Sequence, residues 1–219
     1  MTIEGSNEIR IPVRTVGHGR ASEGSAEQSH ADPAALGLLA YGMPTLLYSL
    51  SNVKAFELGT AVLGMAVVFG GLAQLAVAVL AARRGQILAL TTFAGLGAFW
   101  LTYALLLVSS PQGDPPDADT PAAIGWYLAL WAVFAVGVAF ASTAGPRAVT
   151  LVLGLTGVLL AVLAISYWSG AGLVTSLAGW VGIVTGLVAM YAGFALVINE
   201  SLDRLVLPVG DPPGRPGNR

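Results

Sequence analysis

Hydrophobic positions in this chain run in long blocks rather than in the alternations of a strand or the stripes of a surface helix. Six apolar stretches, about residues 34–50, 58–82, 86–108, 121–142, 148–168 and 173–199, are separated by short polar breaks. Crossing the hydrocarbon core takes ~20 apolar residues of helix, and each block comes close to or exceeds that. Charges avoid the blocks: residues 120–146 and 148–199 contain no Asp, Glu, Lys, Arg or His. The breaks are Ser51-Asn52-Val53-Lys54, Arg83-Arg84-Gly85, the proline- and aspartate-rich run 109–120, Gly145-Pro146-Arg147 and Ser169-Gly170-Ala171-Gly172. Such backbone is excluded from lipid unless it is internally bonded. The pattern therefore predicts an all-α polytopic membrane protein with six transmembrane helices. Residues 32–203 form the membrane domain. Residues 1–31, rich in Gly, Ser, Glu and Arg without an apolar core segment, read as a disordered tail and not as a signal peptide. Residues 204–219, with four prolines, read as a second tail.

Composition narrows the class. Charged residues make up 10% of the chain and hydrophobic residues 55%, against about 25% charged in soluble domains. No basic patch suits a nucleic acid. There are no cysteines, so disulfides and thiolate chemistry are excluded. Nine arginines fall on the side of the tails and even-numbered loops, and Lys54 stands alone on the other. The positive-inside rule then predicts that both termini are cytoplasmic. Trp126, Tyr127, Tyr167 and Trp168 lie near span ends on the opposite side, where an aromatic belt belongs.

Candidate chemistry is sparse. His18 and His30 sit in the tail without other ligands beside them, so no metal or cofactor is expected. An intramembrane enzyme or a buried-carboxylate proton relay needs a titratable group at depth, and the spans offer none. What remains are neutral donors, among them Tyr41, Gln74, Trp100, Tyr103 and Thr156. Gln74 shares a helix face with Gly64 and Gly71, and Gly179, Gly182, Gly186 and Gly193 share another. Glycines at such spacing allow close helix packing or leave room along a path, and the spacing leaves both readings open. Neutral donors between apolar walls suit a small monocarboxylic acid, which they can bind without trapping.

Several motifs add a family. They are Asp32-Pro33-Ala34-Ala35-Leu36-Gly37-Leu38; Phe69-Gly70-Gly71-Leu72-Ala73-Gln74; Gly97-Ala98-Phe99-Trp100-Leu101-Thr102; Tyr127-Leu128-Ala129-Leu130-Trp131; Ala178-Gly179-Trp180-Val181-Gly182; and Asn199-Glu200 with Val206-Leu207-Pro208-Val209-Gly210. In this order and spacing the chain resembles the acetate uptake transporters, or succinate–acetate permeases, over about residues 32–210. The resemblance implies a six-helix protomer with its own pore, assembled as a hexamer in a plasma membrane. It implies transport of acetate and related short-chain carboxylates, in some members succinate, as an anion channel or a proton-coupled permease. It places a hydrophobic gate at Tyr41, Leu96 and Thr156, with Gly70, Gly71 and Gln74 on a pore-forming helix and Asp32, Pro33, Leu36, Gly37 and Leu38 at the entrance. Trp100 is expected beside the gate. The chain departs from the family pattern at Asp32, Ala35, Pro44, Leu96 and Thr156, where Asn, Pro, Thr, Tyr and Leu are usual.

Two function classes follow. One is a membrane transporter or channel for acetate-like monocarboxylates, with proton symport as the alternative coupling. The other is a non-transporting membrane sensor or assembly partner with the tail as effector.

Overall fold

The structure is a computed structural model, and it describes residues 32–109 and 121–210. The two tails at 1–31 and 211–219, and the loop 110–120, lie outside the described residues. Among the described residues, six long helices follow one another: α1 (Pro33–Asn52), α2 (Thr60–Arg83), α3 (Ile87–Ser109), α4 (Pro121–Ala141), α5 (Arg147–Ser169) and α6 (Gly172–Ser201). All six are long and apolar enough to cross a membrane. Each boundary falls within a few residues of the polar breaks. The end of the bundle that holds Asp32 and residues 202–210 is here called proximal, and the end that holds residues 53–59 distal.

The helix termini have local causes. The Asp32 carboxylate accepts from the Ala34 N–H at 3.0 Å, and Pro33 occupies the first helical position, where its missing N–H costs nothing. At the other end of α5, Gly170 adopts φ +62°, the left-handed conformation that closes a helix and suits glycine.

Inside α2 the backbone changes pitch. Residues Ala66–Ala73 are π-helical, a wider turn that block hydropathy does not reveal. This stretch contains Gly70 and Gly71, and π-turns collect at functional sites.

Lipid supplies no hydrophobic drive between helices, so packing depends on small residues that let backbones approach. The α1–α6 seam is built this way. An added Cβ on Gly186 would lie 2.8 Å from Leu46 N and 2.9 Å from Gly42 O. Gly182 faces Ser49, Gly179 the Ser49 carbonyl, and Gly193 the Ala35 carbonyl. The contact moves down α1 as it moves up α6, which makes the pair antiparallel. A second seam joins α2 to α3, where Trp100 covers Gly70, Leu101 covers Gly71, and Gly97 approaches the Gly71 carbonyl. A third joins α4 to α5 at Gly157, against Val136. The indole of Trp168 packs on Gly125 and donates to Ala122 O at 3.2 Å, beside Trp126.

Candidate functional site

Four helices place residues from their middles at one depth. Tyr41 stands eight residues past the start of α1, Leu96 nine past the start of α3 and Thr156 nine past the start of α5, while Gln74 lies nine before the end of α2. At ~1.5 Å per residue all four are about 12–14 Å from the proximal end, near the middle of a ~30 Å hydrocarbon core. All are buried, with at most 3% of each exposed.

Tyr41 and Thr156 touch. Thr156 Oγ1 lies 2.7 Å from the Tyr41 hydroxyl and 2.8 Å from its own helix carbonyl at Val152. A threonine hydroxyl has one hydrogen. Both contacts are hydrogen bonds only if Thr156 donates to Val152 and Tyr41 donates to Thr156. Thr45 donates to the Tyr41 carbonyl at 2.6 Å, one residue after Pro44, whose ring nitrogen cannot donate to Ala40. Leu96 belongs to the same buried cluster as Tyr41.

The path suggested by these residues continues distally along the same helix faces. Seven residues on, Tyr41 is followed by Tyr48, Leu96 by Tyr103 and Thr156 by Leu163, and residues seven apart share a face. The Tyr48 and Tyr103 hydroxyls are 2.5 Å apart. Tyr48 and Leu163 line a cavity of about 280 Å³ together with Asn52, Ser166, Tyr167 and Thr175. A neighbouring cavity of about 300 Å³ shares Asn52 and Thr175 and reaches Lys54. The Asn52 amide nitrogen is buried and makes no hydrogen bond, whereas Ser166 and Thr175 bond to each other at 2.6 Å. Sequence reading did not single out Tyr48, Asn52, Ser166 or Thr175. The seven-residue spacing from the gate positions was the available signal for Tyr48 and Leu163.

Gln74 and Trp100 flank the π-turn. Gln74 Nε2 donates to Gly70 O at 2.8 Å, and its Oε1 has no partner. Exchanging the amide atoms would set two carbonyl oxygens against each other, so this orientation is chemically determined. Trp100, whose ring lies over Gly70, leaves its Nε1–H without an acceptor. One buried acceptor and one buried donor therefore belong to residues that pack against Gly70. Gln74 spends an amide hydrogen on its own helix rather than on a neighbouring one.

At the proximal end, Phe93 packs on Gly37, Leu38 is buried and Leu36 faces outward. Gly70, Gly71, Gly97, Gly182 and Gly186 sit where another helix or side chain occupies the space of a Cβ.

Charge is absent from the middle of every described span, and no group of three His, Cys, Asp or Glu could hold a metal among the described residues. The site's chemistry is that of hydroxyls, two amides and one indole among apolar side chains.

Comparison with known proteins identifies the family. The GPR1/FUN34/yaaH family profile covers residues 19–213. The succinate-acetate/proton symporter SatP of Escherichia coli strain K12 is 38% identical over 183 residues, 83% of this chain and 96% of that protein. An uncharacterized protein of Methanothermobacter thermautotrophicus is 33% identical over 195 residues, covering 86% of this chain and 96% of its own length. Among solved structures, that of the bacterial acetate channel SatP superposes with a TM-score of 0.78 at 38% identity, over 83% of this chain and 99% of the other. The chain therefore belongs to the GPR1/FUN34/yaaH family, the family of the acetate uptake transporters.

Proposed function

We propose that this protein carries acetate and related short-chain monocarboxylates across a plasma membrane, with succinate at the upper end of its range. Substrate passes through each protomer, between Tyr41, Leu96 and Thr156 as gate and past Gln74 and Trp100. Both termini are cytoplasmic, so the cavities at Asn52 face outward, and the protein works as a hexamer. The observation that supports this best is the meeting of Tyr41 and Thr156 at 2.7 Å at the depth of Leu96 and Gln74, below a polar cavity on the same faces. A solved structure similar to this chain is that of the bacterial acetate channel SatP. The test is protein-dependent acetate uptake by proteoliposomes. Uptake that falls in Gln74→Leu and rises in Tyr41→Ala supports the path, and rates unchanged in both overturn it.

A second reading, proton-coupled entry, is favoured by the free groups around Gly70. A protonated acid can donate to Gln74 Oε1 and accept from Trp100 Nε1–H, whereas a carboxylate would face an unpaired carbonyl oxygen. The relative from Escherichia coli is named a proton symporter. Current under voltage at fixed pH separates the two: an anion channel carries it, and an acid carrier does not.

A further inference from the structure

The motif Asn199-Glu200 with Val206-Leu207-Pro208-Val209-Gly210 has no place in the path. Asn199 and residues 206–210 make their hydrogen bonds elsewhere. After α6 the chain turns sharply at Asp203, φ +48°, and runs back across the proximal end. Asn199 holds this return with three bonds: Oδ1 accepts from Val206 N at 2.8 Å and Leu207 N at 2.9 Å, and Nδ2 donates to Leu207 O at 2.7 Å. The Tyr191 hydroxyl donates to Pro208 O at 2.9 Å.

The returning segment then ends on a different helix. The first N–H groups of a helix have no partner inside it, and Pro146 before α5 offers no capping side chain. Val209 O and Gly210 O supply the acceptors, taking the N–H of Ala148 and of Arg147, each at 3.0 Å. Gly210 adopts φ +73°, and a Cβ there would lie 2.9 Å from Arg147 Cβ. Only glycine suits both conditions.

The tie joins the two halves of the gate. Tyr41 is carried by α1, which the glycine seam locks to α6. Thr156 is carried by α5, which packs closely on α4 and also on α6. A bond between α5 and α6 at the proximal end sets the height of α5 against the α1–α6 pair. We infer that residues 202–210 form a clasp that keeps Thr156 against Tyr41, and that Asn199 is its positioning residue. The inference rests on the proposed function in taking that contact to be the gate.

The chain lacks cysteine, which allows a test independent of substrate. Leu96→Cys places a single buried thiol at the gate, and its labelling by 2-aminoethyl methanethiosulfonate in proteoliposomes reports gate opening. Adding Asn199→Ala raises the labelling rate by about fivefold, the factor that one hydrogen bond's worth of free energy commands. The maximal rate of acetate uptake rises while half-saturation stays the same. Asn199→Asp, which keeps two of the three bonds, falls between. In a Thr156→Val background Asn199→Ala adds nothing further, because the contact it protects is already gone. Unchanged labelling, or a rise undiminished in the Thr156→Val background, overturns the clasp. Should Asn199→Ala fail to fold, Tyr191→Phe removes one bond and is read the same way. If labelling responds while the unmodified protein shows no acetate uptake, the clasp stands and the proposed substrate falls.

Discussion

The Tyr41 hydroxyl on α1 and Thr156 Oγ1 on α5 lie 2.7 Å apart, 115 residues apart in sequence and both buried. An aromatic and an aliphatic residue at such a point would close a path by bulk alone. In the proposed gate, closure would include a hydrogen bond that must break before the helices part. Interhelical hydrogen bonds within membranes average about 0.6 kcal/mol and reach about 1.7, which is strong enough to bias a gate and weak enough to open thermally.

Tyr41→Phe and Thr156→Val should therefore be non-additive. Each removes the same bond, and the double variant should lose about 0.6–1.7 kcal/mol less than the sum of the singles. Thermal unfolding in detergent measures this, and additive losses would show that the bond contributes nothing. Acetate uptake should rise in Thr156→Val.

Gly186→Ala should destabilise the bundle by about 1–3 kcal/mol, the usual cost of overpacking. The new methyl would press on the backbone atoms Leu46 N and Gly42 O, which cannot rotate away. Gly154→Ala and Gly137→Ala, which meet nothing within 4 Å, should unfold at the temperature of the unmodified protein. Equal effects at all three sites would mean that the seam is not what holds α1 to α6.

Gln74→Leu should lower acetate uptake by about tenfold, since losing a buried hydrogen-bonding partner for a polar substrate costs about 1–3 kcal/mol. Trp100→Phe removes the indole N–H and should act in the same direction with a smaller change of shape. Uptake assays across pH read both. If the protonated acid is the permeant form, uptake falls as pH rises because that form becomes scarce, and no current accompanies it.

Asn52→Ala should weaken entry from the distal side and leave the gate alone. Its buried amide nitrogen is unpartnered beside the 280 Å³ cavity. The expected result is a half-saturation for acetate raised about threefold or more at an unchanged maximal rate, consistent with removal of a ground-state contact. An altered maximal rate with unchanged half-saturation would move Asn52 from the mouth to the gate.

Much of the fold was legible because lipid imposes simple rules. Every backbone group in a span must bond within its own helix, so charge-free blocks of sufficient length had to be helices. The Asp32-Pro33 start was legible for the same local reason. The π-turn at 66–73 was not, because a block of apolar residues carries no signal of backbone pitch. Residues 204–210 looked like the start of a polar tail because prolines and exposed turns read as loop. Their order comes from Asn199, Tyr191 and the start of α5, partners that only folding brings near.

The candidate site divides along the same line. Hydropathy and the scarcity of charge already limited this chain to a six-span membrane protein with neutral donors at depth, because burying charge in lipid is costly. Family motifs pointed to Tyr41, Leu96 and Thr156. Which donors are spent and which are free was decided by tertiary structure alone. Thr156 is engaged by Tyr41, Gln74 by its own Gly70, and Tyr48 by Tyr103, while Gln74 Oε1, Trp100 Nε1 and Asn52 Nδ2 are left over. Hydrogen bonds act over about 3 Å, and helix spacing along a sequence does not determine distances of that size between helices.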